Sequence, residues 1–169
     1  PLFARSAQGY KNLIKLSSKS YLESSEKTDP YCQISELENL NEDLILLSGN
    51  HHGFFGKFFK LNKLKQIEDT VKELKNIFKD RFYLEIQRHN ESGEESYENF
   101  IIKLSEKTQI PLLATQEVYY FKKEMHEAHD ALVCIGQKNF IDDPNRQKFS
   151  DQHFIKKNDD IINLFKDIP

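Results

Sequence analysis

Two periods alternate along the chain. Short continuous apolar runs bounded by polar residues or Gly read as strands buried on both faces, and apolar residues recurring every three or four positions read as amphipathic helices. Asp43-Leu44-Ile45-Leu46-Leu47-Ser48-Gly49 is one strand-like run and Phe82-Tyr83-Leu84-Glu85-Ile86 another. Ile110-Pro111-Leu112-Leu113-Ala114-Thr115 is a third, with Pro111 near the first residue, where a strand tolerates it. Leu2-Phe3-Ala4 reads as the end of a further buried strand. The clearest helix has Leu64, Ile67, Val71, Leu74 and Phe78 on one stripe with lysines and glutamates opposite. Tyr97, Phe100, Ile101 and Leu104 form a second stripe, entered through a capping-box start at Ser92-Gly93-Glu94-Glu95. The pattern predicts a helix from Gln8 to Leu22 with Tyr10, Leu13, Ile14, Ser17 and Tyr21 inward. It predicts another from Glu124 to Ile135 with Met125, Ala128, Leu132 and Ile135 inward, and a last one near Asp159–Phe165 capped by Asp159.

Helices alternating with strands make an α/β protein with parallel strands and crossover helices. Three strands cannot close a barrel, so the expectation is an open sheet of three or four strands or an arc of a larger barrel. The least ordered stretches are expected at Glu23–Pro30 and Lys138–Asp151.

Composition narrows the function classes. The 24 basic and 27 acidic side chains leave a net charge of −3, and only Arg5, Arg81, Arg88 and Arg146 are arginines. Arginine is the usual bidentate reader of phosphate and guanine, so an autonomous nucleic-acid binder is disfavoured. With 38% hydrophobic residues, 13 of them Phe, the chain has the means to build a core. Its apolar runs stay far below the roughly 18 residues of a membrane span, and no signal peptide opens it. Two cysteines, Cys32 and Cys134, make no disulfide framework, which points to a cytoplasmic setting. The start at Pro1 without Met, directly into a strand-like run, suggests a piece of something longer.

In parallel α/β folds ligands gather at the carboxyl ends of strands. There lie Asn50-His51-His52, Gln87-Arg88-His89 and Gln116-Glu117-Val118-Tyr119. His51, His52, His89 and Glu117 are candidate metal ligands, with solvated loop residues as the bland alternative. His126 and His129, three apart on one helical face, lack the HExxH register and suit a helix-surface pair in which His129 or Asp130 caps a neighbouring loop. Phe54-Phe55-Gly56-Lys57-Phe58-Phe59 suits core packing, lacking the interleaved basic patch of a base-stacking platform. No P-loop, GxGxxG or GxSxG is present, so the residues by themselves name no reaction.

Several segments nevertheless resemble a family. Leu2-Phe3-Ala4-Arg5-Ser6-Ala7-Gln8-Gly9-Tyr10-Lys11-Asn12-Leu13 is similar to the LLA-x-N-x-x-GY-x-NL segment of bacterial DNA polymerase III alpha subunits, and Leu44–Gly49 to their GL-x-x-LSG. Phe82–His89, Ile110–Thr115, Ala128–Ile135 and Asp142-Asp143-Pro144-Asn145-Arg146 continue the match in order. The resemblance places residues 1–169 within the polymerase-and-histidinol-phosphatase (PHP) domain of such a subunit, as an incomplete PHP-type distorted (β/α)7 barrel lacking its N-terminal strands, with residues 138–169 as the edge toward the polymerase core.

The same resemblance implies a function and a test of it. The parent is a DNA-directed DNA polymerase, a nucleotidyltransferase using Mg, whose metal-binding carboxylates lie in another domain, so this chain alone is not expected to be catalytic. In metal-binding members a His-x-His pair and further ligands lie upstream of the LLA segment, hence upstream of Pro1. A later ligand, commonly Cys, falls at Asn50, and the Asp and His of a T-N-D-V-H-Y motif fall at Glu117 and Tyr119. The implied domain therefore has a degenerate metal site and no cofactor of its own, and acts as a structural and interaction module in DNA replication. Its expected partners are the rest of the polymerase chain, replisome proteins such as a proofreading exonuclease subunit, and DNA through other domains, with no membrane. The alternative is a zinc- or manganese-dependent phosphoesterase or 3′–5′ exonuclease in which Glu117 remains a ligand and His51, His52 and His89 stand in as the others.

Overall fold

A computed structural model describes residues 1–24 and 29–168. Residues 25–28, inside the stretch expected to be least ordered, lie outside the described residues. The chain groups into two compact units, Pro1–Glu85 with Asn99–Leu113, and Ile86–Glu98 with Ala114–Pro169.

The first unit is built on a sheet of order β1 (Leu2–Ala4), β2 (Leu44–Leu47), β3 (Phe82–Ile86) and β4 (Leu112–Ala114), the last two strands ending at the unit boundary. The three apolar runs form β2, β3 and β4, but only β2 and β3 are buried as the pattern predicts; β4 ends the sheet and leaves Leu113 exposed. β2 and β3 pair in parallel, Leu46 opposite Phe82 and Leu47 opposite Tyr83. The N–H of Leu84 bonds the Pro111 carbonyl and that of Thr115 the Ile86 carbonyl, so β3 and β4 also run the same way.

β1 departs from the expected parallel, buried strand: it pairs antiparallel to β2, Phe3 opposite Ile45, and Phe3 and Ala4 are exposed. The reason lies in its connection. Two helices, α1 (Ala7–Leu22) and α2 (Ile34–Leu40), intervene instead of one. They run antiparallel, since the Asn12 amide donates to the Glu42 carbonyl at 3.1 Å while Lys19 pairs with Glu36 at 2.9 Å. One crossover helix would return the chain to begin a parallel strand; a helical hairpin delivers it to the end where β1 stopped. The sheet is therefore mixed, four-stranded and mostly parallel.

The amphipathic stripe at 64–78 forms α4 (Leu64–Phe78), with Ile67, Val71, Leu74 and Phe78 all buried. With Leu44, Phe82 and Leu84 of the sheet and Ile101 and Leu104 of α5 (Glu94–Thr108), they form the unit's core, each large side chain contributing about 1.5–3 kcal/mol on burial. α3 (Phe54–Lys60), which the sequence shows only as an aromatic cluster, buries Phe55 and stacks Phe54 edge-on against Phe55 and Phe58.

The expected inward face of α1 is wrong. Gly9, Asn12 and Leu16 are buried, while Tyr10, Ile14 and Tyr21 are exposed. The helix is rotated because its closest approach is made by Gly9, where an added Cβ would stand 2.3 Å from the Asp43 carbonyl oxygen.

The second unit contains α6 (His126–Gln137) and α7 (Asn158–Leu164). An isolated parallel bridge joins Tyr120 to Phe154. Of α6, Cys134 is buried, and the stripe expected inward, Met125, Ala128, Leu132 and Ile135, is exposed. The stretch 138–151, expected to be poorly ordered, is tied down: the Arg146 guanidinium forks onto the Asp130 carboxylate and its Nε donates to the Ile141 carbonyl at 2.8 Å. α7 is capped by Lys157 rather than by the expected Asp159, and the Lys157 N–H donates to the Asp160 carboxylate.

Candidate functional site

In the first unit the candidate residues share one turn after β2. Asn50 folds it: the amide oxygen accepts the His52 N–H at 3.0 Å and the carbonyl accepts the Gly53 N–H at 2.9 Å. The asparagine side chain thus does the turn-forming work its type is suited to. His51 is buried beneath α3, whose Gly56 leaves no room for a side chain, since a Cβ there would meet the His51 carbonyl oxygen at 2.1 Å. The His51 and His52 rings lie 3.8 Å apart, and the Lys60 ammonium stands 3.3 Å from His52 Nδ1.

In the second unit His89 is the centre of a buried polar cluster. The residues just after β3 turn into α5, and Glu94, at the first position of that helix, accepts the His89 N–H on both carboxylate oxygens, at 2.9 and 2.8 Å. An acidic residue in the first helical turn suits the positive end of the helix. His89 Nδ1 is 3.4 Å from the same carboxylate. Burial works to raise the Glu94 pKa, and the hydrogen bonds from the His89 ring and from the backbone of His89 and Glu91 outweigh it, so the carboxyl ends below its ordinary range. On the other side of the ring, His89 Nε2 accepts the Glu117 N–H at 3.2 Å.

His153 completes the cluster. Its ring is 1% exposed and stacks on that of His89, centroids 4.2 Å apart and planes within 2°. His153 Nδ1 faces the Glu117 carbonyl at 3.1 Å and Nε2 the Glu91 carboxylate at 3.0 Å. Tyr119 leans on the same group, with its N–H on the His153 carbonyl at 2.9 Å and its ring stacked on His129 at 5.1 Å. Burial, then a hydrogen bond to Glu117 and that carboxylate's charge, raise the Tyr119 phenol above its ordinary pKa.

The second unit therefore brings together His89, Glu117 and Tyr119 of the expected site residues. It adds Glu91 and His153, which the sequence does not single out, and Glu94, which the sequence marks only as part of a helix start. Glu91 and Glu94 stand near His89 in the chain, but His153 bonds Glu91 across 62 residues, and no motif links the two. The pair at His126 and His129 holds no metal-type register. Instead His126 Nε2 bonds the Phe149 carbonyl at 3.0 Å and Asp130 holds Arg146, so this face of α6 secures the following loop, as one of the sequence readings anticipates.

A family profile described as PHP domain matches residues 1–89, just over half of the chain. Over 99% of its length the chain is 39% identical to the DNA polymerase III subunit alpha of Rickettsia bellii. It is 34% identical to that of Caulobacter vibrioides and 35% to that of Pseudomonas fluorescens, with the same coverage. It spans only 14–15% of the length of these relatives.

Proposed function

Because this chain belongs to the PHP domain family, we infer that it is the part of a replicative polymerase alpha subunit that serves as a structural and interaction module, with a degenerate metal site. The observation that carries this reading is the occupation of the His89 and His153 imidazoles by the protein itself. A histidine binds a metal through a ring-nitrogen lone pair. The His89 Nε2 lone pair is spent on the Glu117 N–H, and His153 Nδ1 must carry a proton to bond the Glu117 carbonyl. The donors at the remaining positions fit a catalytic metal no better. Asn50 uses its amide oxygen in its own turn, and Tyr119 is a phenol whose ionisation is disfavoured. These donors support the degenerate reading, and the alternative would rest on His51 and His52, whose ring nitrogens lie near enough to one another to share an ion.

In this reading nucleotidyl transfer, with its Mg and its contacts to DNA, belongs to other parts of the longer polypeptide, and a proofreading exonuclease is a candidate partner. A cytoplasmic setting accords with this role; no helix among the described residues is long and apolar enough to cross a membrane. Elemental analysis of the full-length polypeptide after purification without chelators tests the reading. The expected content of zinc and manganese attributable to this domain is well below one ion per chain. Near-stoichiometric metal that is lost on His89→Ala substitution would overturn it in favour of a phosphoesterase.

A further inference from the structure

We propose that the turn joining α3 to α4 is a contact surface for single-stranded DNA, in which Lys57, Lys60, Lys63 and Lys65 neutralise phosphates and the Phe54 ring stacks on an unpaired base. The inference rests on the reading of this chain as part of a replicative polymerase. It adds a contact on the first unit to those which that reading leaves to other parts of the polypeptide. Charge singles the turn out. Residues 44–67 carry these four lysines and no Asp or Glu, although the whole chain has 27 acidic residues and a net charge of −3. All four lysines are exposed, and among the described residues none has a carboxylate partner. The first carboxylates beyond the turn are already matched, Glu68 by Lys107 at 2.7 Å and Asp69 by Lys72 at 3.8 Å. The turn is therefore a local positive field on an acidic protein.

The backbone fixes where the charges stand. The Asn62 N–H donates to the Phe59 carbonyl and the Lys63 N–H to the Phe58 carbonyl, both at 2.9 Å, with Asn62 in the left-handed region at φ 55°. This hydrogen-bonded helix stop leads straight into α4, where the Ile67 N–H donates to the Lys63 carbonyl at 3.2 Å. Lys57 and Lys60, three apart on α3, share a face. Phe55 is buried, as core packing requires, but Phe54 is 55% exposed. The Phe54 ring stands edge-on to Phe58 with centroids 4.9 Å apart, and the Lys63 ammonium lies 5.7 Å from the Phe58 centroid. Ring and charges thus form one continuous surface. The turn supplies the basic residues that the aromatic run by itself lacks.

Two features choose the occupant. Lysine is a point charge that holds phosphate without reading bases, and an exposed ring gains stacking only from a base whose face is open. Duplex DNA satisfies the first and not the second. An acidic polypeptide fits less well, because protein interfaces are depleted in lysine.

Amine acetylation of the full-length polypeptide, read by mass spectrometry with and without a single-stranded oligothymidylate, tests the contact. Lys57, Lys60, Lys63 and Lys65 are expected to react about fivefold more slowly with the oligonucleotide at low salt and to recover at high salt, as phosphate contacts give way. Lys11 and Lys15, exposed on α1, are expected not to change. An oligonucleotide carrying 5-iododeoxyuridine is expected to photo-crosslink to Phe54. The combined substitution Lys57→Gln, Lys60→Gln, Lys63→Gln and Lys65→Gln is expected to weaken that crosslink about tenfold at low salt. Unprotected lysines, no crosslink at Phe54, or a crosslink that survives the substitution would overturn the proposal. So would protection by duplex DNA that equals the single strand's, or protection that an added replication protein gives without DNA. Metal content of the same sample is read independently. Bound zinc or manganese would sink the metal-free reading and leave the lysine protection standing, whereas unprotected lysines would sink this contact alone.

Discussion

At Arg88 all five guanidinium donors are used: Nε and Nη2 fork onto Glu98 at 2.9 and 2.6 Å, Nη1 and Nη2 onto Asp167 at 2.7 and 2.8 Å, and Nη1 also reaches the Leu164 carbonyl. The same group lies 4.9 Å over the Phe165 ring. Lysine retains the charge but has no fork, so Arg88→Lys is expected to lower unfolding free energy by about 1–2 kcal/mol, and Arg88→Ala by roughly 2–3 kcal/mol because Glu98 stays part-buried without its partner. Urea titrations followed by circular dichroism measure both. The Arg88 hydrogen bonds press the Asp167 carboxyl down to about 2. A depressed folded-state pKa adds stability that is complete above the pKa of the unfolded carboxyl and drains as pH falls through the folded value. The stability gap between the native chain and Asp167→Asn is therefore expected to be present at pH 5 and to close between about pH 4 and pH 2. Replacing His153 by Ala removes a partner from the Glu91 carboxylate and the Glu117 carbonyl, at an expected cost of about 2–3 kcal/mol. A loss below about 0.5 kcal/mol in the same titration would show that the stacked pair does not hold the cluster together. Of the cluster around His153, only His89, Glu117 and Tyr119 were legible as site residues in the sequence, through strand-end position and resemblance. His153 was not, because nothing local ties it to a residue 62 positions away.

Among the elements, α4 was legible in full because one side of it meets a sheet and the other meets water, so hydrophobic periodicity alone fixes its orientation. α1 and α6 were legible as helices and misread as to face. In α1 a close backbone approach overrides side-chain hydrophobicity: Gly9 lies against Asp43, and the larger residues swing outward. The substitutions Gly9→Ala and Gly56→Ala place a Cβ against backbone oxygens that cannot simply rotate away. Each is expected to destabilise by about 1–3 kcal/mol through overpacking, although Ala is the better helix former. Thermal melts that rise instead would mean that helix propensity dominates and that the approach is looser than it stands. In α6 the apolar stripe is real and stays exposed, so periodicity reported amphipathicity correctly and burial incorrectly. The helices α2 and α3 have seven residues each, too short to show a period above the noise of composition.

For the molecule as a whole, the reading as a module of a longer polymerase predicts that the chain by itself extends no primer when given primed template, Mg and nucleotides. Extension that survives further purification and is lost on unfolding the chain would reject it. Chelator treatment is likewise expected to leave its melting temperature unchanged within about 2 °C, since a structural metal would contribute folding energy directly. What the sequence determined by itself is the α/β class, the strands β2, β3 and β4, the most strongly amphipathic helix and the family. Those depend on local period and on motifs contiguous in the chain. The tertiary structure alone decided that β1 runs antiparallel, which faces of α1 and α6 meet solvent, and that His153 closes over His89. Each of these depends on which distant backbone a residue approaches, a matter of geometry that no local pattern of hydrophobic and polar positions encodes.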